Sequence, residues 1–285
     1  MAVTSFVPTI WYSRLLVALR QRLVGEYAVN HDVETSGELL YGGSVKINRI
    51  GQVVLKDYTG ANITYDDMDT TAETLNIDHC KYEARQLDDV DAVQSRDGGQ
   101  LMAKYADSMA YAIADDLDKE TFKELTGAAL PANTVGSDAT PEVVTTGTQA
   151  KAVLLKMKSL ADKANVPEDM RRFFCGSDFE NALLSDPYIN ISPAKADESL
   201  RAGYIGTIYG IEVFRSNNIP QTTGGNDQVI LTHPMFTTEV NQIQKIEALR
   251  LQDSFKDAVR CLSVSGVKTV MPEGVIKAVV DYSGN

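Results

Sequence analysis

The stretch that decides the fold is Asp97–Leu125, DGGQLMAKYADSMAYAIADDLDKETFKEL. Leu101, Tyr105, Met109, Ile113 and Leu117 recur every four residues, and Ala106, Ala110, Ala112 and Ala114 fill the adjacent face. That spacing predicts an amphipathic helix, with Lys104, Asp107, Asp115, Asp118 and Lys119 turned to water or to a partner. Asp97 is placed to cap the amino end and Gly127 to follow the carboxyl end, with no Pro between them. At about 1.5 Å per residue the expected rod is roughly 43 Å long, about twice an average globular helix. One long core helix is the plainest reading, yet the rod is longer than a compact domain needs.

Upstream of it the period changes from four to two. Val45 and Ile47, then Val53 and Leu55 after Gly51, alternate with Lys46, Asn48 and Lys56, which predicts strands. Tyr58–Asn62 has turn chemistry, and Asp66, Asp67 and Asp69 make a charged tip. Thr74–Leu87 returns as a strand whose apolar parity slips between Ile77 and Cys80, as a bulge would cause. The expected element is a long hairpin, poor in apolar residues near its tip, that projects. Further upstream, Ile10, Leu15, Leu16, Leu19 and Leu23 lie on one side of a short helix over Ile10–Val24. Pro8 keeps the residue before it extended, and Val29–Gly43 reads as a polar arm or linker.

Downstream, Gly127–Gly147 is rich in Thr, Ala, Pro and Gly and marks a boundary. Ala150–Ala164 is an amphipathic helix stopped by Asn165 and Pro167. Arg172–Cys175 is a short strand, and Ser177-Asp178-Phe179-Glu180 reads as a capping box opening another helix. Ile211–Phe214, Val229–Leu231, Val240–Leu251, Val259–Val270 and Val275–Val280 predict a strand-rich carboxyl third. Strands and helices are segregated, so the class is α+β.

The chain of 285 residues can bury a sizeable core as one large domain or two modest ones. Its net charge of −12 argues against gripping nucleic acid, which calls for a basic patch. No apolar run reaches the ~20 residues of a membrane span, and Arg14, Arg20 and Arg22 break any signal-peptide pattern. Cys80, Cys175 and Cys261 are odd in number and far apart, which suits reduced thiols. His31, His79 and His233 are isolated, so no metal site is expected, and no cofactor. Asp66–Asp69 and Asp88–Asp91 lack the Gly and terminal Glu of a calcium loop. Gly203, Gly206 and Gly210 lack the Lys-Ser/Thr of a phosphate loop and read as turns feeding the Ile211 strand. Ser177 lies outside a nucleophile elbow, and no carboxylate pair stands out for acid–base work. These readings describe a non-enzymatic protein, with an unrelated α+β enzyme as the alternative from another class.

In order and in local phrasing the parts resemble the HK97-fold major capsid proteins of tailed bacteriophages. Phe6-Val7-Pro8-Thr9-Ile10-Trp11 with Leu15-Leu16 is similar to that family's amino-terminal arm. Val45–Gly51 followed by Ile63-Thr64-Tyr65 is similar to its extended loop, the E-loop. Thr74–Asp78 and Leu87–Asp91 resemble the return into its peripheral domain. Ala164–Pro167, Ser216–Pro220 and Glu247–Leu251 resemble phrases of its axial domain and of the return from it.

The resemblance implies an arm over 1–44, an E-loop hairpin over 45–82, a peripheral domain over 83–140 and 262–285 with spine helix 97–125, and an axial domain over 141–261. It implies self-assembly into hexamers and pentamers of an icosahedral head enclosing double-stranded DNA, with an encapsulin-type compartment as the alternative. Intersubunit contacts are expected at Trp11, Leu15, Leu16, Leu19, Asp66, Asp67 and Asp69. Expected partners are other copies of the chain, portal and head-completion proteins and a separate scaffolding protein, with room for a decoration protein and none for a membrane. The scaffolding expectation follows from the five residues that precede Phe6, where some members carry a fused scaffolding segment. The expected location is the virion, and the host cytoplasm during assembly. The Lys–Asn cross-link of some members is not carried over, because 253–260 contains no Asn.

Overall fold

The computed structural model describes residues 24–31, 42–50, 55, 57, 70–88, 100–186, 204–252 and 255–283. In chain order the elements are β1 (Ser44–Ile50), β2 (Thr70–Asn76), β3 (His79–Asp88), α1 (Gln100–Ala128), β4 (Thr134–Val135), β5 (Glu142–Val143) and α2 (Gly147–Lys163). There follow β6 (Arg172–Cys175), α3 (Ser177–Leu184), β7 (Tyr204–Ile208), β8 (Ile211–Arg215), β9 (Asp227–Thr232), β10 (Thr237–Arg250), β11 (Lys256–Thr269) and β12 (Ile276–Asp281).

The expected long helix is present with 29 residues, set three positions downstream of Asp97–Leu125. It runs through Gly127, because Phe122 and Leu125 extend the apolar stripe and Lys277 Nζ donates to the Thr126 carbonyl at 2.9 Å. A tertiary contact thus serves a carbonyl that a glycine cap was expected to serve. Met109, Ala110, Ile113, Ala114 and Leu117 are buried as the spacing predicts, whereas Tyr105 and Ala112 are exposed. Asp118, expected in water, is 3% exposed.

Among the described residues the strands form three sheets. β1 and β2 make an antiparallel pair, β10-β11-β3 a second sheet, and β4-β12-β9-β6-β8-β7, with β5 also on β12, a seven-stranded mixed sheet. The predicted Thr74–Leu87 strand is two strands rather than one bulged strand. β2 pairs with β1, and after Ile77-Asp78 the chain enters β3 and pairs with β11. The parity slip between Ile77 and Cys80 is that change of partner. The base of the β1–β2 pair rests on its own subunit, where Leu75 and Ile77 are buried against Val240 and Val264.

Sheet membership divides the chain differently from the expected boundaries. β10, expected in the axial part, joins β3 and β11, while β12, expected in the peripheral part, lies inside the seven-stranded sheet. The expected boundary segment at 127–147 supplies β4 and β5 to the same sheet. Alternation explains the layers. Phe173, Val213, Val229 and Leu231 face the α2–α3 side, while Phe174, Phe214 and Ile230 face Phe122 and Leu125 of α1. The helix therefore packs on β11 and β3 and, through Phe122 and Leu125, also on the larger sheet.

Two local expectations change as well. The capping box forms at Thr146 and Gln149, where each side chain bonds the other's backbone N–H, and α2 starts there rather than at Ala150. Ser177 makes no capping bond; the N-cap of α3 is Gly176. The turn reading of Gly210 holds. Tyr209 and Gly210, at φ 53° and 80°, form the two-residue loop between Ile208 and Ile211, the twist a tight hairpin favours.

Gly266 gives a direct test of how the β1–β2 base is seated. A Cβ there would lie 2.4 Å from the Asn76 carbonyl oxygen and 3.0 Å from Leu75 Cδ2. Backbone must move to admit it, so Gly266→Ala should cost about 1–3 kcal/mol. Hydrogen exchange should report faster opening at 72–77 than at β6; equal protection in both proteins would show that β2 does not press on β11.

Candidate functional site: the strap under the long helix

Residues 24–31 form a short strap joining the long helix to both larger sheets. The sequence suggests a free polar linker from Val29, but Ala28 and Val29 are buried with Phe122, Phe174 and Phe214. Gly25–Ala28 makes one 3-10 turn. Its entrance is held by Asp118, whose Oδ1 accepts from Val24 N at 3.1 Å and from Gly25 N. Asp118 Oδ2 accepts from Ser216 Oγ at 3.2 Å and Asn218 Nδ2 at 3.0 Å, in the loop after β8. One carboxylate thus ties the strap, the helix and that loop together. Gly25 suits the close approach, since a Cβ would sit 3.0 Å from Asp118 Oδ1 and 3.3 Å from Thr121 Cβ.

The middle of the strap docks on the seven-stranded sheet. Tyr27 stacks on Phe214 at 4.9 Å between ring centroids, and the Arg172 guanidinium lies 5.6 Å from the Tyr27 centroid. Arg172 also donates to the Tyr27 carbonyl and pairs with Glu212 at 3.1 Å. The end of the strap docks on β10 as a parallel bridge from Asn30 to Thr238. Asn30 N donates to Thr237 O at 2.9 Å, Glu239 N donates to Asn30 O at 3.0 Å, and Asn30 Nδ2 donates to Pro234 O at 2.9 Å.

A second carboxylate lies beneath. Glu239 is 4% exposed, with Oε2 3.2 Å from Thr121 Oγ1, and His31 Nδ1 is 3.2 Å from the Glu239 carbonyl oxygen. Burial pushes the Asp118 carboxyl above its ordinary range, against the pull of its four hydrogen-bond donors. Burial also pushes Glu239 up, opposed by attraction to His31 and by the Thr121 hydroxyl, and reinforced by the negative Glu26 and Asp118. Nothing in this arrangement resembles a nucleophile and base poised on a cleft. It is an anchorage.

The residues expected to touch neighbours, Trp11, Leu15, Leu16, Leu19, Asp66, Asp67 and Asp69, lie outside the described residues. Sequence reading missed Asp118 and Glu239, since charged residues default to the surface. The available signal was helical: Asp118, Phe122 and Leu125 share one face at spacings of four and three. His79, read as isolated, bonds Asp116 with Nε2 2.6 Å from Oδ2 and fastens β3 to α1.

A long helix spanning two sheets, with a strap that holds the amino-terminal side of the chain to both, is the HK97-like α+β subunit architecture of capsid shells. Comparisons with known proteins agree. The family described as phage capsid protein matches residues 81–278, and the chain belongs to it. A solved chain of Mycobacterium phage Che8 is 29% identical, with 93% of this chain and 92% of that one aligned at a TM-score of 0.71. The capsid structure of the cyanophage P-SCSP1u aligns over 92% and 89% at a TM-score of 0.71 and 15% identity. A virus-like particle from Pyrococcus furiosus shares the fold, with 11% identity, 93% and 96% coverage and a TM-score of 0.54. No curated protein sequence matches. The chain is a phage major capsid protein and a virion component, and the family match does not favour the encapsulin alternative.

Proposed function

We propose that this capsid protein tiles hexamers and pentamers of an icosahedral head around double-stranded DNA, as a building block and not a catalyst. The observation that carries the reading is the strap. It ties the chain at Val24 and Gly25 to the junction of the helix and the β8 loop, so a pull on the preceding residues is borne by the whole subunit. In this reading Trp11, Leu15, Leu16 and Leu19 of the arm and the Asp66, Asp67 and Asp69 tip grip neighbouring subunits. Burying Leu15, Leu16, Leu19 and Leu23 contributes roughly 1.5–3 kcal/mol each before entropic costs. The acidic chain repels packaged DNA from the wall. Assembly takes place in the host cytoplasm with a separate scaffolding protein setting curvature, and portal and head-completion proteins close the head.

Deleting residues 1–23, which stops short of the strap, tests this. The truncated subunit should melt within a few degrees of the full chain yet give no stable shells by negative-stain microscopy under assembly conditions. Shells of normal stability from the truncated chain would overturn the role given to the arm.

A further inference from the structure

We propose that the strap is a proton-responsive latch, in which a proton held on Glu239 lets the strap lie over the Glu239–Asp118 pair and loss of that proton drives the strap off. Asp118 is furnished for a negative charge, with four donors on its two oxygens. Glu239 is not: among the described residues its carboxylate has one hydrogen-bonding neighbour, Thr121 Oγ1. Thr121, the neighbour of Gly25 together with Asp118, is the residue whose Oγ1 meets Glu239 Oε2, and the negative Asp118 disfavours a second charge on Glu239.

No lysine or arginine bonds either carboxylate among the described residues, and the nearby charges are engaged elsewhere. On the helix, Asp115 pairs with Lys119 at 2.5 Å, and Glu124 faces Lys268 of β11 at 3.7 Å. Arg215, beside Asp118 at the end of β8, pairs with Glu180 at 3.2 Å. Arg172 of β6 is held by the Tyr27 carbonyl and Glu212. From the strap itself come Glu26, which repels Glu239, and His31, which attracts it. Asn30 and His31 hold the strap to the β10 backbone at Thr237–Glu239, and in this proposal an ionised Glu239 parts them from it. The sign follows. Burial raises the folded-state pKa of Glu239 above its ordinary 4.5, so the folded chain holds this proton more tightly than the unfolded one. The stabilisation is present below the ordinary value and is lost as pH rises through the raised one.

The latch is a property of the free subunit; only its consequence for assembly rests on the arm reading. Hydrogen exchange, corrected for the intrinsic pH dependence, should show protection of 24–31 that is highest below about pH 4.5 and falls progressively as the pH is raised toward about pH 9. β6 should keep its protection over that range. Glu239→Gln, isosteric and uncharged, should hold the strap's protection constant. A flat wild-type profile, or an equal fall in wild type and Glu239→Gln, would overturn the latch. Should Glu239→Gln not fold, Asp118→Asn decides: removing the other charge must shrink the fall, and an unchanged fall overturns the proposal. Shell yield plays no part in these outcomes, so failure of the arm reading leaves them standing.

Discussion

Asp118→Ala lowers the melting temperature of the purified subunit by roughly 10 °C, while Asp118→Asn stays within a few degrees of wild type. Two effects oppose each other at this site. The buried carboxylate is less well solvated than in water, as its upward pKa displacement records, so deleting the charge relieves a cost. Deleting the whole group, however, leaves the N–H groups of Val24 and Gly25 and the amide of Asn218 facing a small void. Each stranded buried donor costs about 1–3 kcal/mol, so the donors outweigh the relief and a net loss of about 3–5 kcal/mol is expected. For a chain of this size each kcal/mol moves the midpoint by roughly 2–4 °C. Asn keeps an acceptor for the two backbone N–H groups, and its amide can donate to Ser216 once the Asn218 amide turns over. Calorimetry at neutral pH checks both. An Asp118→Ala subunit that melts at or above wild type would mean that the desolvation cost of the charge dominates.

Phe122→Ala should be as damaging through packing alone. Phe122 is 0% exposed and meets Phe174 edge to face, with ring centroids 5.3 Å apart, where α1 crosses the seven-stranded sheet. Truncating a buried Phe costs about 3–5 kcal/mol, because the cavity relaxes only in part. The loss falls on the junction that also seats Ala28 and Val29. Phe255, 81% exposed between β10 and β11, makes the control: Phe255→Ala should shift the denaturation free energy by less than about 0.5 kcal/mol. Urea unfolding of the two variants side by side settles the comparison. Equal midpoints would place the buried face of α1 elsewhere than on Phe174.

What lay in the sequence was whatever one element expresses by itself. The stripe from Met109 to Leu117 announced the long helix, and the short strand read at Arg172–Cys175 is β6. Ala150–Ala164 announced most of α2, with its stop at Asn165, whose φ of 56° ends the helical path. The order of those elements carried the family resemblance. Periodicity is a property of a chain against one surface and needs no knowledge of which surface that is.

Tertiary structure alone decided partners. It sent β12 into the sheet of β6 and β9, and β10 to β3, because strands with the same alternation can pair with any edge of matching register. It broke Thr74–Leu87 into two strands by giving its halves different neighbours. It also turned Asp118 and Glu239, a surface residue and a plain strand residue by composition, into the fastening of the strap. A carboxylate goes inside a protein only where donors or a proton await it, and those were supplied by residues 94 positions upstream and 100 downstream of Asp118. No window of local sequence contains both.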